Sequence, residues 1–429
     1  MQQLPPDDRR FASRAALAQR LRAVRAHSLA LAEPLSPEDQ GAQSMPDASP
    51  TKWHLAHTSW FFEAVVLQAF QPGYGPFDAR FGRLFNSYYE SLGARHPRPQ
   101  RGLLTRPALP EVLAYRAHVD AALQALVRDA DADTWLRAAP LVEIGLQHEQ
   151  QHQELILTDI LHLLSQNPLA PAYRPPTAPM PHEAAHGDAG WWECGGGEVE
   201  IGHDAREGFG FDNEGPRHLV RLAPFALARA LVTNRDWQAF IDDGGYRRPE
   251  LWLSDGWATV QAQGWQAPLY WREGGQAFTL HGEQPRRPEA PVCHLSFYEA
   301  AAFAAWAGAR LPTEFEWEAA ARAWGVAAPA GASPPGPLEP PARRSSGDLQ
   351  CFGAAWQWTR SSYDPYPRFK PWPGTTSEYN GKFMVGQLVL RGSSCATPPG
   401  HGRASYRNFF PPSARWQFSG LRLARDLDL

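Results

Sequence analysis

Apolar residues recur every three or four positions through most of the first 165 residues, the spacing of amphipathic helices. The stretch from 11 to 33, FASRAALAQRLRAVRAHSLALAE, sets Leu and Ala on one face and Arg on the other. A second helix is predicted to begin after Pro50, with Thr51 and Lys52 in its first turn, and to run through WHLAHTSWFFEAVVLQAF. A third follows Pro110 in EVLAYRAHVDAALQALV. The fourth is long, WLRAAPLVEIGLQHEQQHQELILTDILHLLSQ, with Pro140 as a point where it divides. Four helices joined by moderate loops predict an antiparallel bundle, an architecture that builds metal sites from facing helices. Residues 167–190 are rich in Pro and Ala and read as an extended linker. From Trp191 the helical period breaks into Gly- and Trp-rich mixed segments. Short helices are predicted at VTNRDWQAFIDDGG, SFYEAAAFAAWAG and LPTEFEWEAAARAW, and a Pro-rich surface loop at 327–347. The expected organisation is therefore a helical bundle over 1–166, a linker over 167–190 and a mixed domain over 191–429, with no internal repeat.

Composition narrows the function classes. A chain of 429 residues suffices for two or three domains. The net charge of −4 offers no basic surface for nucleic acid and no acidic tail. Seventeen Trp supply material for cores and for small-ligand sites. No stretch reaches 18 uninterrupted apolar residues, so no membrane span is expected. The N-terminal MQQLPPDDRRFASRAALAQR lacks the apolar run of a secretory signal. Cys194, Cys293, Cys351 and Cys395 are scattered with no CxxC, a pattern that points to the cytoplasm. Nothing in the pattern indicates an oligomeric state.

His148 and His152 lie four apart on the long helix, about 40° of rotation, so both imidazoles leave one face. Neutral imidazoles at that spacing chelate a first-row metal. Taken alone the pair also fits a solvated helix face, but Leu146, Leu155 and Ile156 argue for burial, where two unpartnered imidazoles would cost several kcal/mol. Gln151 shares the His148 face; Glu154 points away and reads as outer-shell or structural. HEQQH also fits HExxH, in which Glu149 would be the general base of a zinc hydrolase. The extended metzincin pattern fails, because Leu155 stands where its Gly belongs. A third ligand has to come from elsewhere, and HLAH on the second helix offers His54 and His57, either of which can face inward. His27, His118 and His162 are isolated and read as structural. Between them, residues 85–107, FNSYYESLGARHPRPQRGLLTRP, crowd two Tyr and several Arg into a loop. Arg98, Arg101 and Arg106 could clamp a carboxylate, and Tyr88 or Tyr89 could donate a proton, though a solvated basic loop has the same composition.

Several of these segments resemble one family. KWHLAHTSWFFE, NSYYESLGARHPRPQRGLL and HEQQHQE are similar to the DinB-type helical domain of the EgtB-type ergothioneine-pathway sulfoxide synthases. RLPTEFEWEAAAR, WQWT, VLRGSSCATP and RNFFPPSARWQFSGLRLAR resemble the formylglycine-generating-enzyme fold, a C-type-lectin-like α+β domain. The resemblance spans nearly the whole chain in the right order. It implies a DinB-like four-helix bundle followed by that α+β domain. It also implies an iron(II) site on His57 (rather than His54), His148 and His152. The implied reaction is O₂-dependent: a thiol sulfur is joined to the imidazole C2 of hercynine (Nα-trimethylhistidine) and oxidised to a sulfoxide. One branch of the family takes γ-glutamylcysteine and carries Asn-Trp-Asp near its C-terminus, where this chain has Asn408, Phe409 and Phe410. The missing carboxylate implies the branch that uses L-cysteine and yields hercynylcysteine sulfoxide. In that branch the proton donor lies in the tyrosine pair, Tyr88 first and Tyr89 second. The resemblance further implies Arg98 and Arg101 at the cysteine carboxylate and Asp47 at its ammonium. Gln151 and Asn408 are implied at hercynine, with Phe409 and Phe410 beside the trimethylammonium, a sound pairing of cation and aromatic face. Copper-dependent formylglycine formation is not expected, since Cys395 has no second Cys nearby. Nor is ovothiol synthesis, whose enzyme carries a further methyltransferase domain, while this chain runs to Leu429.

Overall fold

A computed structural model describes residues 13–176, 189–326, 328, 338–342 and 349–427. The chain divides into two compact units. The first comprises the residues up to Tyr173, together with Asp204–Phe209 and Lys370–Lys382; the second comprises Arg174–His203, Gly210–Phe369 and Phe383–Leu429.

The first unit is helical. Four long elements form it: α1 (Arg14–Ala32), α2 (Thr51–Phe61), α3 (Leu109–Asp129) and α4 (Ala132–Ser165). Ser13 caps α1 by accepting the Ala16 N–H, and Asp131 caps α4 by accepting that of Thr134. These contacts satisfy donors that the first turn leaves open. α4 packs on α1 and on α2, and α2 packs on α3. Pro140 lies inside α4 and does not divide it; the helix is continuous through 34 residues. The predicted second helix is interrupted in a way the pattern does not show. After Phe61 it widens into a π-helical turn, Phe62–Leu67, before a last α turn, Gln68–Phe70. Such a turn inserts a residue into the helix and re-aims the side chains around it. Here it buries Phe62, Glu63, Val65, Val66 and Leu67 together. The buried Glu63 accepts hydrogen bonds from the Tyr74 and Tyr115 hydroxyls at 2.7 and 2.8 Å and from the Phe77 N–H at 3.2 Å. The chain after α4 stays with this unit as far as Tyr173, whose buried hydroxyl donates to the Leu31 carbonyl at 2.7 Å. Of the expected linker, 177–188 lies outside the described residues.

The second unit is α+β. A four-stranded sheet runs in the order Ser419–Leu421, Trp356–Ser362, Leu388–Gly392, Asn408–Phe410, the first pair parallel and the others antiparallel. Trp191–Cys194, Phe225–Ala228 and Ala424–Asp426 form an antiparallel three-stranded sheet. The three predicted helices appear as α5 (Asn234–Asp242), α7 (Phe297–Trp306) and α8 (Glu314–Ala323); α6 (Ser254–Gln263) was not foreseen. Thr233, Ser296 and Thr313 each close a capping box at the start of α5, α7 and α8. Buried charge holds the core: Arg391 reaches Glu314 and Glu318 at 2.9 and 3.0 Å, and Arg407 grips Glu314 at 2.8 and 2.9 Å. Much of the predicted 327–347 loop lies outside the described residues. Among the described residues no helix is long and apolar enough to cross a membrane.

Candidate metal centre

The facing surfaces of α2 and α4 bring His57, His148 and His152 together, with one ring nitrogen of each within 4.8 Å of the others. Gly145, one turn before His148, lets the helices approach. A Cβ built there would lie 2.4 Å from the Phe62 ring, so only Gly admits this crossing. Nε2 of His57 is 3.2 Å from Nε2 of His148. Two nitrogens at about 2.1 Å from one ion lie about 3 Å apart when roughly at right angles, so the spacing suits a shared cation.

Two of the three imidazoles are held from behind by hydrogen bonds. Nδ1 of His57 donates to the Phe85 carbonyl at 2.6 Å, which leaves Nε2 as the lone pair. Nδ1 of His152 lies 2.8 Å from Nδ1 of His54, again leaving Nε2. Nδ1 of His148 is buried and has no hydrogen-bond partner among the described residues. Trp53 stacks on His57 with ring centres 4.5 Å apart, and Phe61 lies 4.7 Å from His148. Burial holds all three histidines in their neutral form. His148 is pushed down to about 3 by burial, and His57 and His152 well below their ordinary value by burial and by the other histidines. Three uncharged, converging nitrogen donors fit a divalent first-row ion. His54 does not join them: its Nε2 is 3.1 Å from Asp159 Oδ2, so both its nitrogens are engaged elsewhere.

Two family descriptions match the chain: the DinB superfamily over 20–156, and the sulfatase-modifying factor enzyme 1-like domain over 192–335 and 326–427. The hercynine oxygenase of Mycolicibacterium smegmatis is 35% identical over 447 aligned residues, covering 97% of this chain and all of the relative. That of Mycobacterium tuberculosis is 35% identical over 89% of this chain and 92% of its own length. This chain belongs to the hercynine oxygenase family, the EgtB type. A formylglycine-generating enzyme from Thermomonospora curvata is 36% identical over only 30% of the chain and 46% of its own length, whereas the likeness to the hercynine oxygenases covers both halves.

The other residues singled out in the sequence fall into three groups around this family's two domains. Arg101 is buried and close to the centre. Its guanidinium lies 3.4 Å from the Trp53 ring centre, on the tryptophan that stacks on His57, and donates to Ser49 Oγ at 2.9 Å. It makes no ion pair with a carboxylate among the described residues, and burial together with neighbouring Arg98 lowers it to about 9. Arg98 is exposed and donates to the backbone carbonyl of Asp47, whose side chain is also exposed. Arg106 is exposed as well. Tyr88 and Tyr89 stack on one another at 4.7 Å in a turn held by Asn86, which donates to the Tyr89 carbonyl at 2.9 Å and accepts its N–H at 3.1 Å. Tyr89 is fully buried against Trp60 and Phe61, and burial, followed by Tyr88, pushes its hydroxyl well above its ordinary value. Tyr88 is half-buried. Asn408, Phe409 and Phe410 form the edge strand of the second unit's sheet, where Phe409 stacks on Tyr363 at 4.1 Å and Phe410 meets Trp416 edge-on at 5.6 Å.

One residue of the centre has no local signal in the sequence. Tyr379, in the segment Lys370–Lys382 of the first unit, lies edge-on to His148 with ring centres 5.7 Å apart and donates a hydrogen bond to Gln151. Glu378 fixes that segment by accepting the N–H groups of Glu90 and Ser91 at 3.0 and 2.9 Å, and Lys382 reaches the Tyr88 carbonyl. Glu149, the middle of HEQQH, faces the opposite way. It accepts from Arg25 at 3.0 Å, from Ser28 at 2.6 Å and from Arg116. Burial opposes its ionisation, but Arg116 and Arg25 outweigh it and hold the carboxylate at about 2. A base so committed, on the face away from the histidines, cannot activate a metal-bound water, which removes the basis of the HExxH hydrolase reading.

Proposed function

We propose that the protein is an iron(II)-dependent sulfoxide synthase that joins the sulfur of L-cysteine to C2 of the hercynine imidazole, consuming O₂ and yielding hercynylcysteine sulfoxide. The observation that carries the reading is the pairing of a three-His, charge-neutral donor set with a buried arginine, Arg101, that makes no ion pair with a carboxylate among the described residues. His57, His148 and His152 would hold the ion, which when bound supplies the redox chemistry of O₂ and a seat for a thiolate beside an imidazole. Arg101, stacked on Trp53 and tied to Ser49, receives the cysteine carboxylate and so aims the thiol towards the three nitrogens. Gln151, held by Tyr379, presents an amide at the same centre for the histidine-derived substrate. The Tyr88 hydroxyl, or after it that of Tyr89, would supply a proton to the reaction. The names of the hercynine oxygenase relatives support hercynine as substrate. The absence of an acidic side chain at Phe410 supports cysteine over γ-glutamylcysteine. Scattered cysteines with no CxxC are in keeping with a cytoplasmic setting.

An anaerobic titration of the iron(II)-loaded protein tests the reading. Cysteine and hercynine are each expected to perturb the optical or magnetic signature of the iron. A signature unmoved by either substrate, or by their combination, would rule the reading out.

A further inference from the structure

We propose that His54 and Asp159 are a positioning pair that sets the tautomer and donor strength of His152, which among the described residues is the member of the triad backed by a carboxylate. The inference rests on the metal reading above and extends it to two residues that do not touch the ion.

The protons can be assigned from the contacts. His54 is buried with its Nε2 3.1 Å from Asp159 Oδ2 and its Nδ1 2.8 Å from His152 Nδ1. An ionised carboxylate only accepts, so the His54 proton sits on Nε2. Nε2 of His152 has to face the other two histidines with its lone pair, so Nδ1 of His54 is the acceptor in the 2.8 Å contact. The proton in the 2.8 Å contact belongs to Nδ1 of His152, and the lone pair of His152 is left on Nε2, towards the other two histidines. The opposite order would set two Nδ1 lone pairs against each other and turn an N–H into the metal centre.

The three ligands are therefore not equivalent. His57 leans on a neutral carbonyl, that of Phe85, and His148 has no partner for Nδ1 among the described residues. His152 has the Asp159 charge passed to it across the His54 ring, which raises its basicity as a ligand. Asp159 is itself fixed, because its Oδ2 accepts the Ser49 N–H at 2.8 Å just before α2 begins. The pair thus ties the start of α2 to α4 and fixes the His152 ring from behind. Among the three candidate ligands, this makes His152 the strongest donor.

The test is a Co(II) titration of the metal-free, full-length protein under anaerobic conditions, reading both affinity and the visible bands of the bound ion. Asp159→Asn preserves shape but removes the charge, and His54→Phe removes both contacts. Each is expected to weaken Co(II) binding by about 10- to 100-fold and to shift the visible bands. His54→Gln can still accept from His152 and is expected to recover part of the affinity. Far-UV circular dichroism shows which variants are folded. Folded variants with wild-type affinity and unshifted bands would overturn the proposal. Wild-type protein that binds no Co(II), or binding that survives His152→Ala, would overturn the metal reading itself and the pair's role with it.

Discussion

Among the described residues Arg101 donates to Ser49 and lies on the Trp53 face, with its guanidinium buried. A substrate carboxylate would complete it. Arg101→Lys retains charge but loses the planar fork. We expect it to raise the KM for cysteine by about 10- to 100-fold, in line with about 1.5–3 kcal/mol for a charge-assisted bond, and to leave the KM for hercynine nearly unchanged. Equal effects on both substrates would place the carboxylate elsewhere. The proton donor is the second question at this scale. The sequence favours Tyr88, then Tyr89, yet Tyr89 is packed into the aromatic core and Tyr379 is the phenol that meets a triad imidazole. Tyr379→Phe should divert turnover towards cysteine dioxygenation more than Tyr88→Phe does; unchanged product ratios in both would remove the phenols from the chemistry. Such residues differ in how far sequence reveals them. His148 and His152 are visible because four-residue spacing is a local property of a helix. Spacing does not separate His54 from His57, since the choice depends on which ring nitrogens are already bonded. Tyr379 lies 228 residues from the Gln151 it bonds, and no local pattern records that.

Among the elements, the crossing of α2 and α4 decides whether three imidazoles meet. Gly145→Ala would drive a methyl into the Phe62 ring. The expected cost is about 1–3 kcal/mol of stability, with weaker metal binding because the helices must part. Denaturation midpoints and Co(II) affinity measure the two effects. A variant with unchanged metal affinity would show that the π turn after Phe61 absorbs the strain. The helices follow from the apolar period because that signal is written within each segment. The π turn does not, since the five side chains it buries point in several directions and no single apolar period records them. The strands of the second unit, three to seven residues long, are too short for alternation to stand out.

At the level of the whole chain, the folded metal-free protein buries the three histidines of the candidate centre, and His54 and His401 besides. Unfolded, each titrates near 6.5, whereas folded His148 titrates at about 3 and His57 and His152 well below their ordinary value. Below pH 6.5 the unfolded state therefore binds more protons, and stability falls as pH falls, by about 1.4 kcal/mol per pH unit for each such histidine. The denaturation midpoint of the metal-free protein should drop steeply from pH 6.5 to 4.5, and replacing the three histidines by Gln should flatten that slope. A slope unchanged by the replacement would mean that other groups govern acid stability. The family relationship extends over both halves of the chain, and the reaction it suggests can be observed directly. The decisive measurement incubates iron(II)-loaded protein with O₂, hercynine and either cysteine or γ-glutamylcysteine, and identifies the product by mass. The account predicts hercynylcysteine sulfoxide from cysteine and little product from γ-glutamylcysteine; no C–S-bonded product from either thiol, or product from γ-glutamylcysteine alone, would contradict it.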